Sequence, residues 1–335
     1  MLWRGINMND VYILAVESSC DDTSIAIVKN GKECIAMSIS SQIDVHNKFG
    51  GVVPEIASRM HCENILYVLE DCLSQTNLKI EDMDAIAVTY KPGLLGSLLV
   101  GLEFAKTVAA VYNKPLIGVN HLIGHIYANN IEDNLEFPLL ALVVSGGHTE
   151  LSIMHNNYEF ELLGTTLDDA IGESFDKVAR VIGLGYPGGP KVDKLAKEGT
   201  PNITLPKTRF ENLDFSFSGI KTAVINLHHK TPDINKADLC ASFEKTVTEE
   251  LLFNTLKAAK ELNINKIALA GGVSANSYIR KSFENLKNQG YEIYYPEMKL
   301  CTDNAAMIAS AGYYNYINGK ISDLTLNAIP NLKLE

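Results

Sequence analysis

The sequence predicts an α/β fold that is built twice, as two similar lobes. An apolar run, a small polar turn and an alternating segment occur at residues 11–28 and again at 138–154. A short apolar strand followed by a glycine turn and a helical segment also occurs twice, beginning at 85–96 and at 267–276. A chain of 335 residues is long enough for two such lobes.

The two hairpins are predicted from hydrophobic periodicity. Residues 11–16 form an apolar run, and residues 23–28 alternate as a half-buried strand does. The segment between them, 18–22, is small and polar, and we expect it to form a turn outside the core. In the second copy the apolar run 139–144 meets the turn 145–148, and an alternating strand follows.

The two glycine turns indicate anion-binding sites. The strand 85–88 runs into Pro-Gly-Leu-Leu-Gly at 92–96, and the strand 267–270 runs into a turn that contains Gly271 and Gly272. A strand, a glycine turn and a helix start together present backbone N–H groups to an anion. Glycines also let helices pack closely, so either turn alone is weak evidence. The repeated arrangement predicts a nucleotide held in a cleft between the lobes.

Two helices and two irregular segments complete the prediction. Residues 54–73 and 235–262 have apolar residues at helical spacing, and each is expected to bury one face. The buried positions are expected to be Ile56, Ile65, Val68, Leu69 and Leu73 in the first helix and Leu239, Phe243, Val247, Leu251 and Leu256 in the second. The segment 183–190, with four glycines and two prolines, is predicted to be an irregular ligand-binding loop, and 201–218 a second irregular segment.

The predicted lobe boundary lies near residue 130. We expect residues 1–130 to form the N-terminal lobe, with a C-terminal helix at 312–335 packing back on it. Residues 131–311 are expected to form the C-terminal lobe.

Composition restricts the class of protein. Hydrophobic residues make up 46% of the chain and charged residues 21%, which is usual for a globular protein. The six cysteines are scattered and form no C-x-x-C pair, which argues against a zinc ribbon or a disulfide framework. No apolar stretch approaches the roughly 20 residues of a membrane span, and the N-terminus lacks a signal-like run. These features predict a cytoplasmic protein without a membrane partner.

The net charge of −11 restricts the partners. Proteins that bind nucleic acid unaided are usually basic, because phosphate contacts supply most of the affinity. We therefore expect no DNA partner, and any RNA contact requires a local basic patch or a second protein.

A pair of histidines gives the first sign of metal chemistry. His121 and His125 follow a predicted strand at 115–119 and lie one helical turn apart, so both can face one metal ion. A zinc peptidase would need a glutamate after the first histidine, and Leu122 stands there instead. Two helix histidines, one capping and one packing, remain the alternative. As a metal site, the pair lacks a third ligand.

The motifs taken together resemble the bacterial TsaD family, formerly known as glycoprotease. The resemblance spans roughly residues 11–320. The segments that carry it, in order, are 17–23 (ESSCDDT), 50–55 (GGVVPE), the His121/His125 pair, 145–149 (SGGHT), 175–177 (FDK), 185–190 (GYPGGP), 214–221 (DFSFSGIK), 271–273 (GGV) and 301–304 (CTDN).

This resemblance implies an actin-like, sugar-kinase-like ATPase fold and a transferase activity. The family moves a threonylcarbamoyl group from threonylcarbamoyl-AMP to N6 of adenosine 37 in tRNAs that read ANN codons. It implies that Asp303 completes the metal triad, with Fe²⁺ favoured and Zn²⁺ or Mn²⁺ as alternatives, and that Asp21 is an acid near the reaction centre. The positions that match the family's substrate and nucleotide contacts are Val143, Val144, Ser145, Gly146, Gly147, Asp176, Gly189, Asp193 and Asn276. We expect the backbone of Gly271 and Gly272 to join them in holding an adenine nucleotide.

The resemblance also implies partners. They are tRNA, a smaller paralogous subunit (TsaB-like) and a P-loop ATPase (TsaE-like), since this chain has no Walker motif. One departure from the family is Tyr90-Lys91 before the first glycine turn, where small residues are common; Lys91 could face a phosphate.

Three other functions are weaker predictions. An actin-fold phosphotransferase would share the lobes and glycine turns but would not need the histidine pair. A non-catalytic scaffold like the shorter paralogue would lack that pair. A non-haem iron oxygenase usually takes its first two ligands from an H-x-D segment of a β-barrel, which this sequence does not predict.

Overall fold

The structure, a computed structural model, describes residues 10–131, 133–231 and 233–331. The elements of the first part of the chain are β1 (Tyr12–Glu17), β2 (Asp22–Lys29), β3 (Glu33–Ser41), α1 (Ile43–Asn47), α2 (Pro54–Ser74), β4 (Ala85–Lys91), α3 (Leu95–Val111), β5 (Leu116–Asn120) and α4 (His121–Ala128). Those that follow are β6 (Leu139–Val144), β7 (Thr149–Asn156), β8 (Glu159–Thr165), α5 (Ile171–Val181), α6 (Gly188–Ala196), α7 (Ser218–Lys230), α8 (Lys236–Leu262), β9 (Lys266–Ala270), α9 (Ser277–Glu284), β10 (Glu292–Tyr294), α10 (Met298–Cys301) and α11 (Ala305–Ile317).

The two sheets have the same topology. The first has the strand order β3-β2-β1-β4-β5 and the second the order β8-β7-β6-β9-β10. In each sheet, the first three strands in sequence pair antiparallel. The fourth strand pairs in parallel with the first, and the fifth pairs in parallel with the fourth. This identity of order and direction confirms the duplicated α/β fold that the paired motifs predict.

Two compact units contain these sheets. The first takes residues 10–41, 54–131 and 304–331, and its core lies where α2 and α3 cover the sheet of β1. The last of these segments contributes α11, which packs against β1, β4 and α4 of the same unit. The hydrophobic side chains of β1 between its ends are fully buried, as expected for a central strand.

The second unit takes residues 42–53 and 133–303, described apart from 232. Its core contains the inner faces of β6, β7 and β9 together with α5, α7 and α8. The predicted helix 235–262 is confirmed as α8, with four of its five expected core residues buried and Leu256 partly buried. Among the described residues, none of the helices is long and apolar enough to cross a membrane.

Three sequence predictions are wrong in detail. The C-terminal helix expected at 312–335 is α11, which ends at Ile317; residues 318–331 contain no helix, and 332–335 lie outside the described residues. The segment 183–190 is irregular only to Pro187, because α6 begins at Gly188. The first N–H groups of a helix have no intrahelical partner, so Pro190 fits the first turn of α6.

In α2 the buried positions are Ala57, His61, Ile65, Val68 and Cys72, while Ile56, Leu69 and Leu73 are half-buried.

Glycines set how closely α11 approaches its neighbours in the first unit. A Cβ added at Gly312 of α11 would lie 2.7 Å from the Ala87 Cβ of β4. The Ala87 side chain is a single methyl group fixed to a buried strand, so it cannot move away without moving the backbone. The close contact between this helix and the sheet therefore depends on the missing side chain.

We expect Gly312→Ala to destabilise the protein by about 1–3 kcal/mol, because an added methyl group in a closely packed core forces the backbone to shift. Urea unfolding followed by circular dichroism measures the change. The matched control is Gly219→Ala in α7, where the nearest atom to an added Cβ is 3.8 Å away. That control should be neutral or slightly stabilising, since alanine favours helix. Equal stability of the two variants would show that the α11 contact does not depend on Gly312.

Candidate functional site

The histidine pair is positioned by the junction of β5 and α4. Asn120 ends the strand and caps the helix, with its Oδ1 accepting a hydrogen bond from Leu122 N at 2.8 Å. This cap starts the helix at His121 and places His125 one turn later on the same face. Every residue of α4 is buried, so the pair lies inside the first unit.

The two imidazoles and one carboxylate converge. The ring centroids of His121 and His125 are 4.6 Å apart, with an interplanar angle of 78°. One ligand atom from each of His121, His125 and Asp303 lies within 4.8 Å of the other two. Two imidazoles and a carboxylate at this separation form a donor set that suits a divalent transition metal.

The start of α11 determines where Asp303 lies. Asn304, the next residue, caps the helix by accepting a hydrogen bond from Met307 N at 3.0 Å. Ala305 N donates to Ser24 Oγ of β2 at 3.0 Å, which attaches the same end to the sheet. In α4, a Cβ added at Gly124 would lie 2.6 Å from Ile308 Cδ1. Gly124, between the two histidines, therefore allows α11 to pack closely against α4. Because of this close packing, Asp303, which lies just before the α11 cap, reaches both histidines.

A buried glutamate orients His121. Glu17, fully buried at the end of β1, accepts a hydrogen bond from His121 Nδ1 at 3.0 Å. It also accepts from Ser19 N at 2.6 Å and from Thr89 Oγ1 at 2.5 Å. These donors compensate the cost of burying a carboxylate. Since Nδ1 is occupied, Nε2 is the nitrogen of His121 that can bind a metal, as in carboxylate–histidine–metal triads.

The sequence alone assigns Glu17 no role, although it stands in the first family motif. The available signal was a single carboxylate at the end of an otherwise apolar strand. Its partners Thr89 and His121 come from other strands and helices, so local pattern could not reveal them.

Asp21 lies in the turn between β1 and β2 and is half-exposed. The preceding carbonyl, Cys20 O, accepts hydrogen bonds from His61 Nε2 at 3.0 Å and Ser97 Oγ at 3.2 Å. The other nitrogen of His61 lies 2.7 Å from Thr23 Oγ1. The turn is thus held on both sides by one buried histidine of α2.

In the second unit, the glycine turns meet at the carboxyl ends of β6 and β9. A Cβ added at Gly271 would lie 2.4 Å from Val144 O, and one at Gly172 would lie 2.6 Å from Ser145 O. Gly172 N also donates to Ser145 O at 3.2 Å. Val143 and Val144 are fully buried core residues, so they can offer a ligand only their backbone.

The α5 and α6 helices bring further predicted residues to this edge. Asp176, one turn after Gly172 in α5, accepts a hydrogen bond from Gly188 N at the start of α6 at 2.6 Å. Asp193 of α6 accepts from Ser277 Oγ at 2.5 Å, at the start of α9. Asn276 caps α9, with its Oδ1 accepting from the N–H groups of Tyr278 and Ile279.

Four glycines near this edge of the second unit have open space where a side chain would be. A Cβ added at any of them would meet no atom of the described residues within 4 Å; they are Gly146, Gly147, Gly189 and Gly272. Packing therefore does not require glycine here, whereas close approach of a ligand to the backbone would. Lys91, which the sequence suggested as a phosphate contact, lies over the Tyr90 ring, with its Nζ 5.3 Å from the ring centroid.

A second buried carboxyl group was not predicted from the sequence. Glu244 of α8 is 3% exposed and accepts a hydrogen bond from Asn276 Nδ2 at 2.5 Å. Burial raises the pKa of Glu244 to about 7; the Asn276 hydrogen bond opposes this shift, and the nearby Asp193 carboxylate adds to it. The signal was a glutamate within the apolar stripe of α8, one residue after Phe243.

Comparison with known proteins gives consistent matches. The sequence profile of the family described as "TsaD: tRNA N6-adenosine threonylcarbamoyltransferase" matches residues 33–310. A protein of that name from Clostridium kluyveri is 55% identical over 335 residues, covering 97% of this chain and 98% of its own. The protein of the same name from Clostridium novyi is 53% identical with the same coverage.

Among solved structures, T. kodakarensis HypF matches with a TM-score of 0.65 and 15% sequence identity, covering 94% of this chain and 49% of that one. This likeness concerns the fold alone and agrees with the actin-like ATPase fold of the duplicated sheets. The profile match covers most of the chain, and the relatives are similar over nearly their full length. The chain therefore belongs to the TsaD family of tRNA N6-adenosine threonylcarbamoyltransferases.

Proposed function

We propose that this protein transfers the threonylcarbamoyl group from threonylcarbamoyl-AMP to N6 of adenosine 37 in tRNAs that read ANN codons. In the reaction the N6 amine attacks the carbamoyl carbon, a C–N bond forms, and the C–O bond to phosphate breaks. AMP leaves and the amine loses a proton. The observation that carries the proposal is the convergence of His121, His125 and Asp303 in a member of this family.

His121, His125 and Asp303 would hold one divalent metal ion, with Fe²⁺ favoured over Zn²⁺ and Mn²⁺. When bound, the ion supplies Lewis-acid stabilisation of negative charge on the substrate's oxygens. The protein's own contribution is orientation, because Glu17 fixes the tautomer of His121 and the Asn120 cap fixes the helix that carries both rings. A rigid donor set of this kind loses little entropy on binding.

The second unit would hold the adenine nucleotide. Backbone groups at Gly146, Gly147 and Gly272 have the open space that close approach of a phosphate needs. Gly189 adds a similar opening at the start of α6. Ser145 and Gly271 shape the edge, while Asp176, Asp193 and Asn276 hold the helices around it through the hydrogen bonds described above.

Asp21 is the proposed acceptor of the proton that the amine loses. A carboxylate near a reacting amine can remove the proton late in attack. The hydrogen bonds from His61 and Ser97 to Cys20 O support this role, because they restrict the turn that carries Asp21. His61 is then a positioning residue for the reaction.

We further propose the partners and compartment of the family. They are tRNA, a smaller TsaB-like subunit and a TsaE-like P-loop ATPase in the cytoplasm. The net charge of −11 supports a need for a partner in tRNA binding. On α2, Leu66 and Tyr67 are 60% and 71% exposed, which supports this helix as the subunit contact.

The assignment of two lobes with a boundary at residue 130 remains a prediction. A small-molecule kinase or a non-catalytic scaffold would not need a histidine oriented by a buried carboxylate, as His121 is by Glu17.

Replacing both histidines, His121→Ala with His125→Ala, should abolish metal binding and lower the transfer rate by at least about 100-fold, because charge stabilisation is lost. Metal content is measured by mass spectrometry, and transfer by labelled threonine carried from the adenylate onto tRNA. The control His155→Ala replaces a half-exposed histidine of β7 and should keep both properties. Full metal content and full transfer in the double variant would refute the metal site.

Glu17→Gln should weaken metal binding by about 10- to 100-fold, because a neutral amide makes the imidazole of His121 a weaker ligand. Competition with a chromophoric chelator measures the affinity, and circular dichroism checks that the variant is folded. Glu33→Gln on β3, where the side chain is 67% exposed, is the control and should bind metal normally. If the two variants bind metal equally well, Glu17 does not tune His121.

A further inference from the structure

Glu244 links two helices at the nucleotide edge of the second unit. Its carboxyl group lies on α8 and accepts a hydrogen bond from Asn276 Nδ2 at 2.5 Å. Both acceptor bonds of Asn276 Oδ1 go to the first turn of α9, at 3.0 Å from Tyr278 N and 2.9 Å from Ile279 N. The side chain of Asn276 is therefore largely committed to fixing α9 against α8. Any role of Asn276 toward a ligand depends on Glu244 holding it in place.

Asp193 adds a second carboxyl group beside the first. It accepts hydrogen bonds from Ser277 Oγ at 2.5 Å and Ser277 N at 3.3 Å, and it pairs with Lys197 at 3.0 Å. The Asp193 side chain is 16% exposed and Glu244 is 3% exposed, so both carboxyl groups are largely shielded from solvent. Two nearby carboxylates in such surroundings favour the state in which one of them carries a proton.

Titratable groups on three helices act electrostatically with Glu244. From α6 they are Asp193, which raises the pKa of Glu244, and Lys197, which lowers it. From α9 the group is Tyr278, whose pKa is raised first by burial and then by Glu249 and Glu244. On α8 itself it is Cys240, one turn earlier. Burial is the largest cause of the raised pKa of Glu244, about 7, so near neutral pH the group is only partly ionised.

We propose that Glu244 is a positioning residue of the nucleotide site and that it takes up a proton from solvent when an anionic nucleotide binds. This inference rests on the proposed function, since it assumes that the open glycines receive a nucleotide. As an acid, Glu244 can donate to Asp193 while still accepting from Asn276, so one proton adds a link between α6 and α8 beside the Asp193–Ser277 contact of α6 with α9. As a carboxylate, it repels Asp193.

The position of the open glycines connects this link to the ligand. Gly189 lies one turn before Asp193 on α6, and Gly272 lies in the turn that leads to Asn276. A phosphate bound at these backbone groups adds negative charge near the two carboxyl groups. Added negative charge favours the protonated form of Glu244, so binding and proton uptake are coupled.

The test is isothermal titration calorimetry with ADP at pH 8, in two buffers of different ionisation enthalpy. The unaltered protein, Glu244→Gln and Glu261→Gln are compared, because Gln mimics the protonated acid and Glu261 is an exposed glutamate of the same helix. With a pKa of about 7, most Glu244 is ionised at pH 8 in the free protein. At pH 8 we expect the unaltered protein and Glu261→Gln each to take up nearly one proton more per bound ADP than Glu244→Gln.

The same titrations repeated at pH 6 give a second readout. From pH 6 to pH 8, we expect the ADP affinity of the unaltered protein, divided by that of Glu244→Gln, to fall about tenfold.

The outcomes separate this inference from the function on which it rests. ADP binding with equal proton uptake in all three proteins would overturn the role of Glu244 and leave the nucleotide site intact. Absence of ADP binding at both pH values would overturn both.

A second measurement needs no ligand. A carboxyl group with a raised pKa stabilises the fold fully below its unfolded pKa, near 4.5, and loses this contribution as pH rises through about 7. The urea midpoint of the unaltered protein should therefore fall between pH 5 and pH 8 by more than that of Glu244→Gln. Parallel pH profiles would contradict the inference.

Discussion

The close packing of α11 against α4 is the contact on which the candidate metal centre depends. Gly124 lies between the two histidines, and its missing side chain leaves room for Ile308 of α11. The capped start of α11, attached to Ser24, then places Asp303 within 4.8 Å of both ligand nitrogens. Asp303 thus meets the two histidines, which are distant from it in sequence, because α11 and α4 approach closely. This explains why a glycine stands inside a buried helix despite its unfavourable helix propensity.

The two units share a sheet topology but differ at the strand ends where the glycine turns lie. In the first, the glycine turn after β4 is closed: a Cβ added at Gly93 would lie 2.6 Å from Ser19 O, and Leu94 N donates to that oxygen. In the second, Gly271 is packed against Val144 O in the same way, but Gly146, Gly147 and Gly272 beside it remain open. Glu17 in the first unit and Glu244 in the second are both buried near this edge, and each forms a hydrogen bond with a side chain of the site.

Local pattern was enough to predict most of the fold. The hairpins, the glycine turns and α8 follow from periodicity and from turn residues, which act over a few neighbouring positions. The start of α6 was missed because glycine and proline are tolerated in a first turn, where N–H groups need no intrahelical partner. The pair His121 and His125 was visible as helical spacing, but Asp303 was identified only through family resemblance. Glu17 and Glu244 were missed because their partners come from distant segments.

The most direct test of the metal centre is X-ray absorption spectroscopy at the edge of the bound metal, comparing the unaltered protein with Asp303→Asn. We expect a first shell of light (nitrogen or oxygen) ligands at about 2.0–2.2 Å, with outer-shell scattering from two imidazoles. In the variant we expect a changed number or distance of first-shell ligands, or loss of the metal. A first shell that contains sulfur, or a spectrum unchanged by Asp303→Asn, would contradict a centre formed by His121, His125 and Asp303.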